Sequence, residues 1–228
     1  MYKAIFLDID NTLLSFTAAA QDSMRTAMAA AGKCYTPEIW PLFCRINDAL
    51  WHRLEAGGLT PQQLYDTRWN IIFAELGWQL DGAAFEKMFQ TGLNESAVPE
   101  TDALPLLAAL DALRPGTLLC AASNGPYEQQ RHRLKLAGML RHFDRLFISE
   151  DIGFSKPDPR YFEACFAQLD GILPAECLMI GDSLTADIAG AAGCGMRTCW
   201  YNAGNRPLPA EPVPNFTVTA LSQIPPLL

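Results

Sequence analysis

The chain has 228 residues, 50% of them hydrophobic and 18% charged, with a formal net charge of −8. That length holds one large domain or a core with an insertion, and the composition excludes a disordered or low-complexity chain. The acidic balance argues against binding to a nucleic-acid backbone, which needs a basic face. A small anionic substrate stays open, because one metal and one lysine are enough to set the local field.

The chain opens with K-A-I-F-L-D-I-D-N-T-L-L (residues 3–14). The apolar run reads as a buried parallel strand over Lys3–Ile9. It ends in Asp8, with Asp10 and Thr12 following at intervals of two. Two carboxylates at the end of a buried strand require a partner, since an unpaired buried charge is very costly. A divalent cation, a lysine or both would serve. If the backbone stays extended, Asp10 points to the same side as Asp8.

From about Thr17 to Thr91 the pattern is helical throughout. Ala20, Met24, Ala27, Met28 and Ala31 share a face that Gly32 closes. Thr36-Pro37 opens a second helix with proline at its first position. Thr60-Pro61-Gln62-Gln63 is a capping box for a third, ending at Gly77, and a fourth covers about Asp81–Thr91. Four of the five tryptophans (Trp40, Trp51, Trp69, Trp78) fall here and read as core, although one of them could stack on a nucleobase. Arg45, His52, Arg53 and Arg68 read as surface groups.

Beyond residue 92 strands and helices alternate. A helix at about Asp102–Leu113 leads to a strand ending at Ser123-Asn124-Gly125, and Pro126 begins a helix running to about His142. Leu146–Ser149 is a short strand followed by Lys156-Pro157-Asp158. Cys177–Ile180 leads into Gly181-Asp182, a helix over Leu184–Ala192, and last strands at Arg197–Tyr201 and Phe216–Thr219. The expectation is α/β: a doubly wound, parallel, Rossmann-like sheet formed by residues 1–16 and 92–228, with a four-helix cap, residues 17–91, inserted after the first strand.

In such a sheet ligands bind beyond the carboxyl ends of the strands. The polar groups there are Asp8, Asp10, Ser123, Asn124, Lys156, Asp182 and Asp187. Each alone has an ordinary reading as a turn, cap or surface residue; together on one rim they make a site. A carboxylate attacks phosphorus to form an acyl-phosphate, which suits Asp8. A second acid, Asp10, protonates the leaving alcohol and then deprotonates water. Asp8, Asp10 through its carbonyl, and Asp182 offer Mg²⁺ hard oxygen ligands. Thr12, Ser123, Asn124 and Lys156 are the candidate phosphate-binding groups, with Lys156 also spreading positive charge over the transition state.

The seven cysteines are odd in number and lie mostly in apolar contexts without C-x-x-C, which reads as buried thiols in a reducing compartment. The three histidines lack metal-ligand spacing. No run approaches the roughly 20 apolar residues of a membrane span, and no signal-peptide pattern opens the chain, so the cytoplasm is the expected location.

These motifs make the chain resemble the haloacid dehalogenase-like (HAD) hydrolase superfamily over nearly its whole length. D-x-D-x-T stands at Asp8–Thr12, the strand-end serine at Ser123, K-P-D at Lys156–Asp158, and G-D-S-x-x-x-D at Gly181–Asp187; the helical insertion resembles the C1 cap. The resemblance implies Asp8 as nucleophile, Asp10 as acid/base, and Mg²⁺ on Asp8, the Asp10 carbonyl and Asp182, with Asp187 in support. It favours phosphatases, because dehalogenases lack the second acid. The S-N-G turn, the T-C-W-Y-N stretch at Thr198–Asn202 and the long cap lean toward 5′-nucleotidase-like members acting on a small phosphorylated metabolite, such as a nucleoside 5′-monophosphate. A sugar-phosphate mutase, a phosphoglycolate-type phosphatase, a phospho-acceptor module and a non-catalytic binding protein are the alternatives.

Overall fold

The structure is a computed structural model that describes residues 2–208 and 210–228. Six strands, β1 (Ala4–Leu7), β2 (Leu118–Ser123), β3 (Arg145–Ile148), β4 (Cys177–Gly181), β5 (Arg197–Tyr201) and β6 (Phe216–Val218), form one parallel sheet in the order β3-β2-β1-β4-β5-β6. The chain divides into two compact units, one comprising the segment up to Phe16 with Ala97–Leu228, the other Thr17–Ser96.

β1 is apolar at every position because both of its faces are covered. Ile5 and Leu7 join Leu119, Ala121, Leu178 and Ile180 in a core completed by Leu106, Leu107 and Leu110 of α5 (Ala103–Asp111) and Leu134 of α6 (Tyr127–Leu136). Ala4 and Phe6 face the other way, onto Cys120, Met179 and Phe147, and are covered by Tyr161, Phe162 and Cys165 of α8 (Pro159–Phe166), which follows the single turn α7 (Ser149–Ile152). The strand order reverses between β1 and β4, so the loops leaving them diverge and open a crevice at their carboxyl ends. Asp8 and Asp182 stand there.

Several boundaries differ from the sequence expectation, each for a local reason. The first strand stops at Leu7 rather than Ile9, because the chain turns immediately: Leu13 and Leu14 donate their N–H groups to the Ile9 carbonyl at 2.9 and 2.8 Å, and Asn11 adopts a φ of 59°. The sheet ladder therefore ends before Asp10 is reached. The helix expected to reach His142 ends at Leu136; Gly138 takes a φ of 71°, and Leu140–His142 is a separate 3₁₀ turn. The helix expected over Leu184–Ala192 begins as a π-helix, Leu184–Ala189, before α9 (Gly190–Gly193).

The second unit holds four helices: most of α1 (Phe16–Ala30), then α2 (Ile39–Glu55), α3 (Pro61–Leu76) and α4 (Gly82–Asn94). The capping box on α3 is formed in both directions: Gln63 N–H donates to Thr60 Oγ1 at 3.2 Å, and Thr60 N–H donates to Gln63 Oε1 at 2.9 Å. Pro37 lies before α2 instead of at its first position, because Thr36 closes a turn with Ile39 first.

The unit's core is aromatic. Trp69 is fully buried, its ring centroid 4.4 Å from Phe85, 5.1 Å from Phe89 and 5.5 Å from Phe43. Trp40, Trp51 and Trp78 are half-buried. Arg68 corrects its surface reading. It is buried beside these rings, donating to Asn47 Oδ1 at 2.8 Å and Glu86 Oε1 at 2.6 Å. Its sequence neighbours Thr67 and Trp69 gave no hint of that, because the polar partners Asn47 and Glu86 lie on other helices. Arg45, His52 and Arg53 are exposed.

Removing a buried indole from this cluster leaves a large cavity. Trp69→Ala is expected to lower stability by about 3–5 kcal/mol, measured by chemical denaturation. A loss below about 1 kcal/mol would show that the rings repack around the gap.

Candidate active site

Asp8 continues the β1 ladder by one bond, its N–H donating to the Ile180 carbonyl at 2.9 Å, so the backbone fixes the carboxylate's place. The side chain is held at both oxygens. Lys156 Nζ donates to Oδ1 at 2.8 Å, and Thr12 Oγ1 donates to Oδ2 at 3.0 Å. Burial pushes the Asp8 acid up to about 7 against the opposing pull of the Lys156 ammonium.

Lys156 is itself buried, and its ammonium donates to three acceptors: Asp8 Oδ1, the Ala122 carbonyl at 2.7 Å and Asp187 Oδ1 at 2.6 Å. Burial alone would lower its pKa, but the Asp187 and Asp8 carboxylates raise it above the ordinary lysine value, so it stays charged. Asn124 delivers this lysine. Its side-chain amide grips the Lys156 backbone in both directions, Nδ2 donating to the Lys156 carbonyl and Oδ1 accepting from its N–H, each at 2.8 Å.

Three of the four expected phosphate-binding groups make bonds within the protein. The Asn124 amide is taken up by the lysine loop, and the three ammonium protons of Lys156 go to Asp8, Ala122 and Asp187. The Thr12 hydroxyl likewise donates to Asp8. Ser123 keeps its place: its Oγ accepts from Gly125 N–H at 3.1 Å and Gln130 Nε2 at 3.0 Å, which leaves the hydroxyl proton to donate.

The Asp8, Asp182 and Asp187 carboxylates bring one oxygen each within 4.8 Å of one another. The π-helical turn curls Asp187 back beneath the end of β4, where Oδ2 accepts from Ser183 N–H at 3.1 Å. A Cβ at position 181 would stand 2.1 Å from that Oδ2, so only glycine fits before Asp182. Trp200 Nε1 and Arg206 anchor the Asp182 backbone carbonyl at 3.0 and 2.9 Å. Among the described residues, nothing donates to the Asp182 carboxylate, and burial, with Asp8 and Asp187 nearby, drives its pKa well above the ordinary value. A carboxylate without a donor, beside two more acids, fits a divalent cation that prefers hard oxygen ligands. Asp8, Asp182 and Asp187 could each offer it one oxygen, and of the three only Asp182 has no hydrogen-bond donor among the described residues. Asp187 has both oxygens engaged already.

Asp10 does not bring its carboxylate into this cluster. Arg133 donates to its Oδ1 at 2.6 Å and Gln130 Nε2 to its Oδ2 at 2.5 Å. Gln130 and Arg133 were not singled out from the sequence. The available signal was their three-residue spacing on α6, in register with buried Leu134, on a helix that is otherwise polar. Arg206 and the indole of Trp200 were also missed as supports of Asp182; nothing in their local sequence marks them.

One fixed carboxylate, a charged buried lysine and a metal-compatible acid cluster stand together on the carboxyl rim of a doubly wound sheet, a site lined by carboxylates. The chain belongs to the haloacid dehalogenase-like hydrolases, whose family model matches residues 2–195. The HAD-hydrolase YfnB of Bacillus subtilis is 31% identical over 223 residues, 98% of this chain and 94% of that protein. Its magnesium-bound crystal structure matches with a TM-score of 0.93, covering 100% of this chain and 98% of the other. The pyrimidine 5′-nucleotidase PynA of Streptococcus pneumoniae is 34% identical over 201 residues (88% of this chain, 84% of that protein). The pyrimidine 5′-nucleotidase YjjG of Escherichia coli is 29% identical over 224 residues (98% and 96%).

The acid cluster gives a stability prediction with a definite sign. Asp8 and Asp182 hold protons more tightly folded than unfolded. In metal-free protein their contribution is therefore present at acid pH and lost as the pH rises through about 7. Mg²⁺ at about 100 times its dissociation constant should add about 2.7 kcal/mol to the wild type near pH 7.5. Asp182→Asn should melt no lower than the wild type without metal and gain under about 0.5 kcal/mol with it. Thermal melts with and without MgCl₂ read both effects.

Proposed function

We propose that the chain is a Mg²⁺-dependent phosphomonoester hydrolase that works through an aspartyl-phosphate on Asp8. The observation that carries this reading is the Asp8 carboxylate, buried, fixed at both oxygens by Lys156 and Thr12, and placed beside an Asp182 carboxylate that has no donor among the described residues.

An Asp8 oxygen attacks phosphorus and forms the acyl-phosphate bond as the bond from phosphorus to the leaving alcohol breaks, and Asp10 gives that alcohol its proton. Water then attacks the acyl-phosphate, the phosphorus–Asp8 bond breaks, and Asp10 takes the water's proton, which restores both acids and releases inorganic phosphate. The Ser123 hydroxyl donates to a phosphate oxygen. Lys156 keeps the Asp8 carboxylate oriented and its charge balanced within the buried site. Mg²⁺, when bound at Asp8, Asp182 and the Asp10 carbonyl with Asp187 in support, offsets the mutual repulsion of the acids and the phosphate. In this reading the substrate is a small phosphorylated metabolite, and the names of the relatives PynA and YjjG point to pyrimidine nucleoside 5′-monophosphates. The helical unit, residues 17–91, acts as the cap that selects it.

The test is hydrolysis of 4-nitrophenyl phosphate and of a panel of nucleoside monophosphates, sugar phosphates and phosphoglycolate. Activity should require Mg²⁺ and disappear with chelator. Asp8→Asn should be inactive, and Asp10→Asn should lose about 10²–10⁴-fold. Pyrimidine monophosphates should lead the panel by kcat/KM. Normal turnover by Asp8→Asn would sink the reading, and a sugar phosphate at the head of the panel would sink its substrate.

A further inference from the structure

We propose that Gln130 and Arg133 are positioning residues that fix the orientation of the Asp10 carboxyl for proton transfer, with Gln130 tying that orientation to the phosphate-binding serine. The inference rests on the phosphatase reading above and on contacts independent of the metal cluster.

Both side chains are almost wholly buried, although each belongs to a type that normally seeks water. They stand three residues apart on one face of α6, in the first turns after β2. Each takes a different oxygen of Asp10: Arg133 Oδ1 at 2.6 Å, Gln130 Oδ2 at 2.5 Å. Arg133 also donates to Gln130 Oε1 at 3.2 Å, so the two are locked to each other. A carboxyl held from two directions cannot rotate about its final bond. Asp10 needs that restraint more than Asp8 does, because it lies beyond the strand ladder, immediately before the turn at Asn11, and its side chain is 30% exposed.

Gln130 Nε2 also donates to Ser123 Oγ at 3.0 Å. One amide thereby spans the group that meets the phosphate and the group that meets the leaving oxygen. The glycine of the S-N-G turn belongs to the same device: a Cβ on Gly125 would lie 2.3 Å from Gln130 Nε2 and displace it. Ser123, Asn124 and Gly125 then have three separate tasks: phosphate contact, delivery of Lys156, and room for Gln130.

A merely structural role predicts equal losses on every substrate. A role in aiming the proton donor predicts losses that depend on the leaving group, because a nitrophenolate departs without a proton and an alkoxide does not. The experiment measures kcat/KM, with Mg²⁺, for 4-nitrophenyl phosphate and for the best alkyl phosphate of the panel, in wild type, Gln130→Leu, Arg133→Met and Gly125→Ala, each checked by thermal melting. The alkyl phosphate should fall on the order of 10²-fold, and the aryl phosphate less than about tenfold. In an Asp10→Asn background the same substitutions should cost almost nothing further, since the group they aim is gone.

If Arg133→Met does not fold, Gln130→Leu and Gly125→Ala carry the test, because neither removes a charge. Equal losses on both substrates, full additivity with Asp10→Asn, or unchanged activity in Gln130→Leu and Gly125→Ala would overturn the proposal. Wild-type turnover of 4-nitrophenyl phosphate checks the phosphatase reading separately. Its absence would remove that reading and the proposal with it.

Discussion

The rest of the site depends on one buried ammonium. Lys156 sits between Asp8 and Asp187, with the Ala122 carbonyl as third acceptor. Removing one partner of a buried ion pair typically costs about 3–5 kcal/mol, because it strands the other charge. Here the loss would strand two acids. The local structure is arranged to prevent that. Asn124 clamps the lysine's backbone from the end of β2, and the π-helical turn after β4 swings Asp187 beneath Gly181, where only a glycine leaves room. The apolar strands β1, β2 and β4 hold these three loops side by side.

The charge count explains why the site is more than a salt bridge. One lysine balances only part of the charge of Asp8, Asp182 and Asp187. It is bound to two of them, while Asp182 receives no donor from the described residues. The Asp10 carboxylate is held instead by Arg133 and by Gln130, which also reaches Ser123. The acids thus divide into a metal-compatible group beside Lys156 and an acid, Asp10, paired with Arg133. That separation suits a reaction in which one carboxylate forms a bond to phosphorus while another exchanges a proton.

Much of this was legible in the sequence. The sheet was readable because strands buried on both faces are apolar at every position. The four insertion helices were readable from their stripes and caps, Thr60 most clearly. The acids, Ser123 and Lys156 were readable because polar groups that end buried strands need a reason. What escaped the sequence depends on side-chain reach across elements. The turn that begins at Asn11 takes the chain out of the sheet just past Asp10, and the Arg133 and Gln130 that hold the Asp10 carboxylate come from another element. The internal bonds of Asn124 and Thr12, to the Lys156 backbone and to Asp8, could not be read from their strand-end positions. Gln130, Arg133 and Arg68 are buried polar residues on helices, and a sequence does not show which distant group satisfies such a residue.

The central claim is that Asp8 carries the phosphoryl group during turnover. Its most direct test is acid quenching of Asp10→Asn during reaction with 4-nitrophenyl phosphate, a substrate whose leaving group needs no proton, followed by mass spectrometry of the peptides. The account predicts one phosphoryl group on the peptide containing Asp8, absent from the Asp8→Asn/Asp10→Asn double variant. A phosphoryl group on any other residue, or turnover with no phosphorylated peptide, would contradict it.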